Sequence, residues 1–182
     1  MKKLTANWIY YADNDINSAR KLMNFHGSRG QIAVFCQQAV EKYLKAYLEE
    51  HGREIRKTHD LVSLYAEVES IQNWNLDKEL LKNLKNIYID YRYPGNIGIT
   101  PDGLMPSMEE TRSYLEFAQE VEAIFKRLYI KTVDDVKEII RQNYAIELTS
   151  QNIASINKMV NDDKMEIYQA YNKIIEEINE NS

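Results

Sequence analysis

The segment Tyr88 to Tyr93, YIDYRY, concentrates aromatic rings around a single arginine. Tyr88 and Arg92 lie four residues apart, so they share a face if the segment is helical. Arginine offers a planar fork of donors that fits a phosphate, and tyrosine rings can stack on a base. This pattern predicts a nucleotide site that uses Tyr88, Arg92 and Tyr93. The alternative is structural, with Arg92 capping its own helix or pairing with a nearby aspartate.

Further cations lie upstream of this segment. The sequence REIRK, from Arg53 to Lys57, carries three cations and one anion, and it is the clearest basic spot in the chain. Lys42 and Lys45 lie three residues apart near the end of the helix that is predicted before it. We expect Lys42, Lys45, Arg53 and Arg56, together with Arg92, to bind phosphate oxygens.

His59 is the histidine with the densest polar surroundings in the sequence. A neutral imidazole at pH 7 can act as a general acid or base, so His59 and Arg92 are the candidate catalytic residues. The alternative is that His59 only bonds a backbone carbonyl or a side chain. No histidine has another His or Cys at ligand spacing, and no phosphate loop or catalytic triad signature is found, so we expect no metal and no cofactor.

The element that must position these residues is a helix from Arg29 to Glu50. It has no glycine after Gly30 and no proline, and its apolar residues recur at steps of three and four, which predicts one buried stripe. The amides Gln37 and Gln38 are expected at the edge of that stripe, together with Lys42 and Lys45. The stripe itself consists of Ala33, Cys36, Val40, Tyr43, Leu44 and Tyr47.

The remaining pattern predicts helices throughout. A first helix is expected over residues 4–26, with a seam that contains Asp15, a carboxylate that should meet a cation or donor or lie at the rim. Gly52 should end the central helix in a left-handed conformation, and Thr58 is the expected N-cap of the third. Glycine and proline predict a long loop over residues 93–106. Ser107 and Glu110 then form a capping box that starts a fourth long helix.

The charge of the chain differs between its first 130 residues and the rest. Residues 131–182 hold six basic and ten acidic residues, which accounts for most of the net charge of -5. We expect a helical bundle over residues 1–130 and an acidic helical extension over residues 131–182. Such a charge balance does not favour nucleic acid or anionic lipid unless a local patch supplies the attraction. The single Cys36 is interpreted as a buried hydrophobe. Without a signal pattern or an apolar run of membrane length, we expect a cytoplasmic protein that binds no membrane.

Four segments together resemble the HEPN family over about residues 5–130. They are the tryptophan and Ala-x-x-Asp of the first helix, CQQAVEKYLKAYL from Cys36, THDL from Thr58 and YIDYRYPG from Tyr88. The resemblance implies an all-α, up-and-down bundle of four or five helices that commonly dimerises around a shared cleft. It also implies nucleotide binding and, for many members, a small nucleotidyltransferase encoded alongside as part of a toxin and antitoxin pair.

A large subset of that family are metal-independent ribonucleases with a late Arg-x4-6-His motif. This sequence has no histidine after His59, so the late motif is absent. Arg53 and His59 have the right spacing but lie before the third helix. Three functions therefore stay open: a dimeric nucleotide- or RNA-binding module with a nucleotidyltransferase partner, an endoribonuclease that uses His59 with Arg92 or Arg53, and a helical scaffold without a ligand.

Overall fold

The structure is a computed structural model that describes the backbone of residues 1–92 and 105–180, with the side chains of residues 1–87 and 105–178. Within those ranges the chain is all α, with eight helices and no strand. None of the described helices is long and apolar enough to cross a membrane. The helices are α1 (Lys3–Asn24), α2 (Arg29–Glu50), α3 (Leu61–Glu69), α4 (Lys78–Arg92), α5 (Met108–Tyr129), α6 (Val133–Tyr144), α7 (Ser150–Asn161) and α8 (Ile167–Glu180).

The described chain forms two compact units. The N-terminal unit spans Lys2–Glu122, and the C-terminal unit comprises Met1 and the residues from Ala123 onward. The division falls inside α5, so one continuous helix contributes residues to both units. All predicted site residues belong to the N-terminal unit.

Helices α1 and α2 are antiparallel and form the centre of the N-terminal unit. The Thr5 hydroxyl donates to Glu50 at 2.7 Å, and the Tyr43 hydroxyl donates to Asp13 at 2.5 Å, which fixes opposite directions for the two helices. Arg20 of α1 pairs with Glu122 of α5. These contacts set the register of three helices with buried polar groups rather than with apolar contacts alone.

The predicted stripe of α2 is confirmed, since Ala33, Cys36, Val40, Tyr43, Leu44 and Tyr47 are all buried. Burial raises the pKa of the Cys36 thiol to about 12, which fits an unreactive side chain. The predicted polar edge of α2 is wrong in part. Gln37 is fully buried and Lys45 is only 5% exposed, because α1, α3 and α4 all pack against α2 and leave it little free surface.

Helix termini follow the sequence signals with two exceptions. Gly52 has a φ of 69° and ends α2 as predicted, and the Ser107 and Glu110 capping box is present with hydrogen bonds of 2.7 and 3.1 Å. The first helix ends two residues earlier than predicted, at Asn24. The N-cap of α3 is Asp60 rather than Thr58, since the Asp60 carboxylate accepts hydrogen bonds from the backbone of Val62 and Ser63.

The predicted seam of α1 is also wrong in part. The buried face carries Asp13 at 2% exposure, while Asp15 lies nearer the rim and pairs with Lys42. Asp15 therefore meets a cation, as expected, and Asp13 is the carboxylate inside the core. The buried residues of α1 are Thr5, Ala6, Ile9, Ala12, Asp13, Ile16 and Ala19.

The C-terminal unit has its own apolar core. Aliphatic and aromatic residues of α6, α7 and α8 pack together with Ile130, so the apolar faces of these three helices bury one another. Threonine-based capping boxes start two of the helices, at Thr132 and at Thr149. The predicted loop over 93–106 lies largely outside the described residues.

Candidate functional site

A buried carboxylate, Glu41, gathers three donors at the centre of the N-terminal unit. Lys45 Nζ lies 2.8 Å from Oε1, Gln37 Nε2 lies 2.9 Å from Oε2, and His59 Nδ1 lies 3.0 Å from Oε2. Gln37, Glu41 and Lys45 are spaced by four, so they stack along one face of α2. We refer to Gln37, Glu41, Lys45 and His59 as the Glu41 cluster.

Glu41 is ionised in this setting although it is only 7% exposed. Burial by itself raises the pKa of a carboxyl, but hydrogen bonds from Lys45 and His59, and then the Lys45 charge and Gln37, act against it. The net result is a pKa of Glu41 below its usual value. A charged acceptor thus lies inside the bundle, held by its three donors.

His59 joins this buried carboxylate to the protein surface. Its side chain is 58% exposed, while Nδ1 faces Glu41. Because the ionised Glu41 can only accept, Nδ1 is the donor, and the neutral ring then has Nε2 as its acceptor. The cluster therefore fixes both the orientation and the tautomer of an exposed imidazole, which is what a general base or a hydrogen-bonding site for a ligand requires.

The turn before α3 holds His59 in place. The Thr58 hydroxyl accepts from the backbone N–H of Asp60 at 3.1 Å, and Asp60 caps α3. Lys85 of α4 donates to the second Asp60 oxygen at 2.8 Å. Hydrogen bonding from Lys85, in spite of partial burial, lowers the pKa of Asp60. Helices α3 and α4 thus meet at Asp60, next to the His59 that contacts Glu41 of α2.

The predicted phosphate-binding cations differ in how they are engaged. Lys42 pairs with Asp15, Lys45 with Glu41, and Arg56 with Glu67. Arg53 is exposed, as is Lys57, and neither takes part in an ion pair among the described side chains. A phosphate at Lys42 or Arg56 would have to compete with a carboxylate, whereas Arg53 and Lys57 already face solvent.

Lys45 also contacts an aromatic ring. Its Nζ lies 5.5 Å from the centroid of the Trp8 ring, within the range of a cation–π contact. This ammonium is therefore fixed on one side by the ring and on the other by Glu41, and it is poorly placed to reach a ligand. The structure assigns Lys45 to the support of the cluster.

Three predicted site residues fall outside this description. The side chains of Tyr88 and Arg92 lie outside the described residues, although both residues belong to α4, and Tyr93 lies entirely outside the described residues. Their proposed roles stay predictions. No group of His, Cys, Asp and Glu in the described part of the chain could hold a metal ion.

Sequence reasoning misses Glu41 and Gln37 as members of the site. A signal for them is present, because a glutamate with a lysine four residues later and a glutamine four residues earlier forms a polar ladder on a helix. Periodicity alone places that ladder at a solvated edge. The packing of α1, α3 and α4 against α2 buries this ladder, and the segment before α3 places a histidine at its outer end.

The N-terminal unit is thus an all-α bundle with a buried polar cluster that supports an exposed histidine. The family model of the HEPN domain matches residues 5–128, which is more than half of the chain. The chain belongs to the HEPN domain family, and this membership supports a module related to nucleotides or RNA.

One solved structure agrees with this fold. The crystal structure of TT1696 from Thermus thermophilus is similar with a TM-score of 0.59 and 22% sequence identity, over 69% of this chain and 98% of that chain. At this identity the likeness concerns the fold alone. No curated protein matched the chain.

Proposed function

We propose that this chain is a nucleotide- or RNA-binding module that works as a homodimer with a nucleotidyltransferase-type partner, in the manner of a toxin and antitoxin pair. The ligand would bind on the surface around His59. The observation that carries the proposal is the Glu41 cluster, in which a buried carboxylate holds an exposed imidazole in one orientation. Family membership supports the same class of ligand.

The charges around His59 suit a phosphate-bearing ligand. Arg53 and Lys57 belong to the loop that ends at His59, and both are exposed. Lys82 is exposed on α4, one turn before the Lys85 that pairs with Asp60. Two of these cations precede His59 closely in the sequence and the third lies on the neighbouring helix α4, and all three would offer charge to phosphates. His59 Nε2 would accept a hydrogen bond from a hydroxyl or amino group of the same ligand.

The test is a binding titration with labelled single-stranded RNA and with ATP. We expect His59→Ala to weaken binding, and the double variant Arg53→Ala, Lys57→Ala to weaken it further. Each phosphate contact that is lost should also reduce the salt-dependence slope by about 0.7 for a single strand. The matched control is Lys158→Ala, an exposed lysine of α7 in the C-terminal unit. Equal affinity of all four proteins would refute the proposed surface.

A second function is favoured by one specific contact. The hydrogen bond from His59 Nδ1 to Glu41 would let Nε2 take the proton of a 2′-hydroxyl, as a metal-independent endoribonuclease requires. Arg53 would then stabilise the negative phosphorane, and Arg92 is the other candidate for that role. RNA incubated with EDTA-treated protein distinguishes the two functions, because cleavage that disappears in His59→Ala would establish the enzyme. Intact RNA together with measurable binding would leave the binding module.

A further inference from the structure

Two side chains beside the buried Glu41 carboxylate each carry a buried polar atom without a hydrogen-bond partner among the described residues. One atom is Trp8 Nε1 of α1, and the other is Gln37 Oε1 of α2. A buried polar atom without a partner costs stability, and an aliphatic residue would avoid that cost at either position. The presence of tryptophan and glutamine here therefore needs a reason other than packing.

Trp8 uses the face of its ring rather than its N–H group. The Lys45 ammonium lies 5.5 Å from the centroid of the Trp8 ring, and the Lys45 side chain is only 7% exposed. Tryptophan is the best ring partner for a cation, and the attraction increases when the ammonium is shielded from water. The ring therefore gives Lys45 a second partner besides Glu41.

That second contact matters because a lysine side chain is flexible. Its four-carbon stem allows the ammonium to exchange a carboxylate for water. With the ring beside it, Lys45 Nζ lies 2.8 Å from Glu41 Oε1. Trp8 thus helps to keep one oxygen of Glu41 engaged, and it does so through Lys45.

Gln37 engages the other oxygen of the same carboxylate. Its Nε2 donates to Glu41 Oε2 at 2.9 Å, and His59 Nδ1 donates to that oxygen at 3.0 Å. The Gln37 side chain is fully buried, so it has little freedom to turn away. With both oxygens engaged, the carboxylate offers His59 a fixed acceptor.

We propose that Trp8 and Gln37 are positioning residues for the ligand surface around His59. Both act through Glu41, which holds the imidazole with its proton on Nδ1 and with Nε2 as the acceptor. The inference deepens the proposed function and rests on it, because an oriented imidazole matters only if a ligand binds there. It adds α1 to the helices that shape the site.

Nitrogen NMR of the imidazoles in the full chain tests the positioning directly. In wild type at about pH 8, where an ordinary imidazole is neutral, the His59 ring should be a single tautomer with the proton on Nδ1. In Trp8→Leu and in Gln37→Met we expect a mixture of both tautomers, because Glu41 no longer holds one geometry. A spectrum of His59→Ala assigns the His59 signals among the three histidines.

Trp8→Phe separates the ring face from the bulk of the side chain. Phenylalanine keeps an aromatic face for Lys45, so the single tautomer should return, whereas leucine fills space without offering a face. The matched control is Tyr11→Leu, an aromatic residue of the same helix that contacts the Tyr10 ring and is 57% exposed. It should leave the His59 signals as they are in wild type.

Urea unfolding of the same variants distinguishes positioning from a purely structural role. A structural role would lower the free energy of unfolding and leave the tautomer of the folded protein unchanged. Gln37→Met removes a donor and an unpaired acceptor together, so its effects on stability oppose one another and the protein should remain folded. A single Nδ1–H tautomer in Trp8→Leu would overturn the role of Trp8, and the same result in Gln37→Met would overturn that of Gln37.

Titration with labelled single-stranded RNA and with ATP connects the positioning to the ligand. We expect Trp8→Leu and Gln37→Met to weaken binding by about two- to tenfold, the range of one hydrogen bond, and Trp8→Phe to restore it. Mixed tautomers together with no binding even by wild type would overturn the proposed function and leave the positioning of His59 in place. Wild-type affinity in variants with mixed tautomers would overturn the link between this positioning and the ligand.

Discussion

The two units of this chain are built on different kinds of core. The N-terminal unit buries Asp13, Gln37, Glu41, Lys45 and Glu122 among its apolar residues. The apolar core of the C-terminal unit consists of isoleucines, a valine, a methionine, an alanine and tyrosines, and Lys126, which donates to Asn172, is the one charged side chain that this unit buries among the described residues. Both are helical and both are capped by ordinary sequence signals, so the contrast lies in what is buried rather than in how the helices form.

This contrast indicates where function lies. A buried ion pair contributes little net stability, because desolvation offsets most of the attraction. Well-packed apolar replacements of buried ion pairs are often neutral or stabilising, but an apolar side chain at Glu41 would not hold His59 in one orientation. The Glu41 cluster, although not the Asp13 or Glu122 contacts, is therefore better explained by the exposed imidazole that it supports than by stability. Apart from Lys126, the core of the C-terminal unit is explained by apolar packing.

The largest effect is expected for Glu41→Ala. The substitution leaves Lys45 buried with no carboxylate and removes the partner of Gln37. Loss of one member of a buried pair typically costs about 3–5 kcal/mol, and urea unfolding would measure it. The control is Glu69→Ala, which removes the half-buried partner of the exposed Lys78 in the same unit and should cost at most about 1 kcal/mol. Equal losses in the two variants would mean that burial of the cluster is unimportant.

The pH dependence of stability should differ between two carboxylates of the N-terminal unit. The folded pKa of Glu41 is below its usual value of 4.5. Its contribution to the free energy of unfolding is therefore present above pH 4.5 and is lost as pH falls through the folded pKa. Asp15 is the opposite case, because burial, only partly offset by the hydrogen bond from Lys42, raises its folded pKa above 3.8. The contribution of Asp15 to the free energy of unfolding is therefore present below pH 3.8 and is lost as pH rises through the folded pKa.

Urea unfolding between about pH 3 and about pH 6 would separate these two signs. On acidification, the stability difference between wild type and Glu41→Gln should shrink, whereas the difference between wild type and Asp15→Asn should shift in favour of wild type. Curves that move in the same direction for both variants would contradict the assignment of opposite pKa shifts.

Much of the fold could be predicted because long helices carry their own signals. The stripe of α2 repeats over 22 residues without proline, and Ser107 with Glu110 is a local motif whose partners are three residues apart. Such patterns need no knowledge of the rest of the chain. The predicted N-cap of α3 is wrong because Thr58 and Asp60 are both good capping residues and the local sequence does not distinguish them.

The site is harder to predict because its members meet only through tertiary packing. His59 stands out as a residue type, but its partner Glu41 lies 18 residues earlier on another helix. On α1, Asp13 and Asp15 are both compatible with helical spacing, and it is Asp13, the acceptor of the Tyr43 hydroxyl, that enters the core. Sequence periodicity predicts which face of a helix is buried, but which other helix packs against that face depends on the tertiary fold of the bundle.

A smaller effect is expected from the core of the C-terminal unit. Ile140→Val removes one methylene from a fully buried side chain and should cost about 0.5–1.5 kcal/mol. Because Ile140 packs within the cluster formed by α6, α7 and α8, amide hydrogen exchange should accelerate in those helices while α2 keeps its protection. Equal acceleration in α2 would mean that the chain unfolds as one cooperative unit and would count against a separate bundle and extension.

The smallest effect is expected for the surface ion pair of the C-terminal unit. Arg127 binds Glu166 through two nitrogens, at 2.8 to 3.2 Å, but both side chains are about half exposed. Glu166→Gln should therefore cost at most about 1 kcal/mol, and the cost should decrease further at high salt. Arg127 retains its position over the Tyr168 ring, 5.4 Å from the centroid, which limits the loss. A double-mutant cycle with Arg127→Ala would measure the coupling. A coupling as large as the loss in Glu41→Ala would remove the distinction between a buried polar cluster and an exposed ion pair, and with it the argument that the Glu41 cluster exists to orient His59.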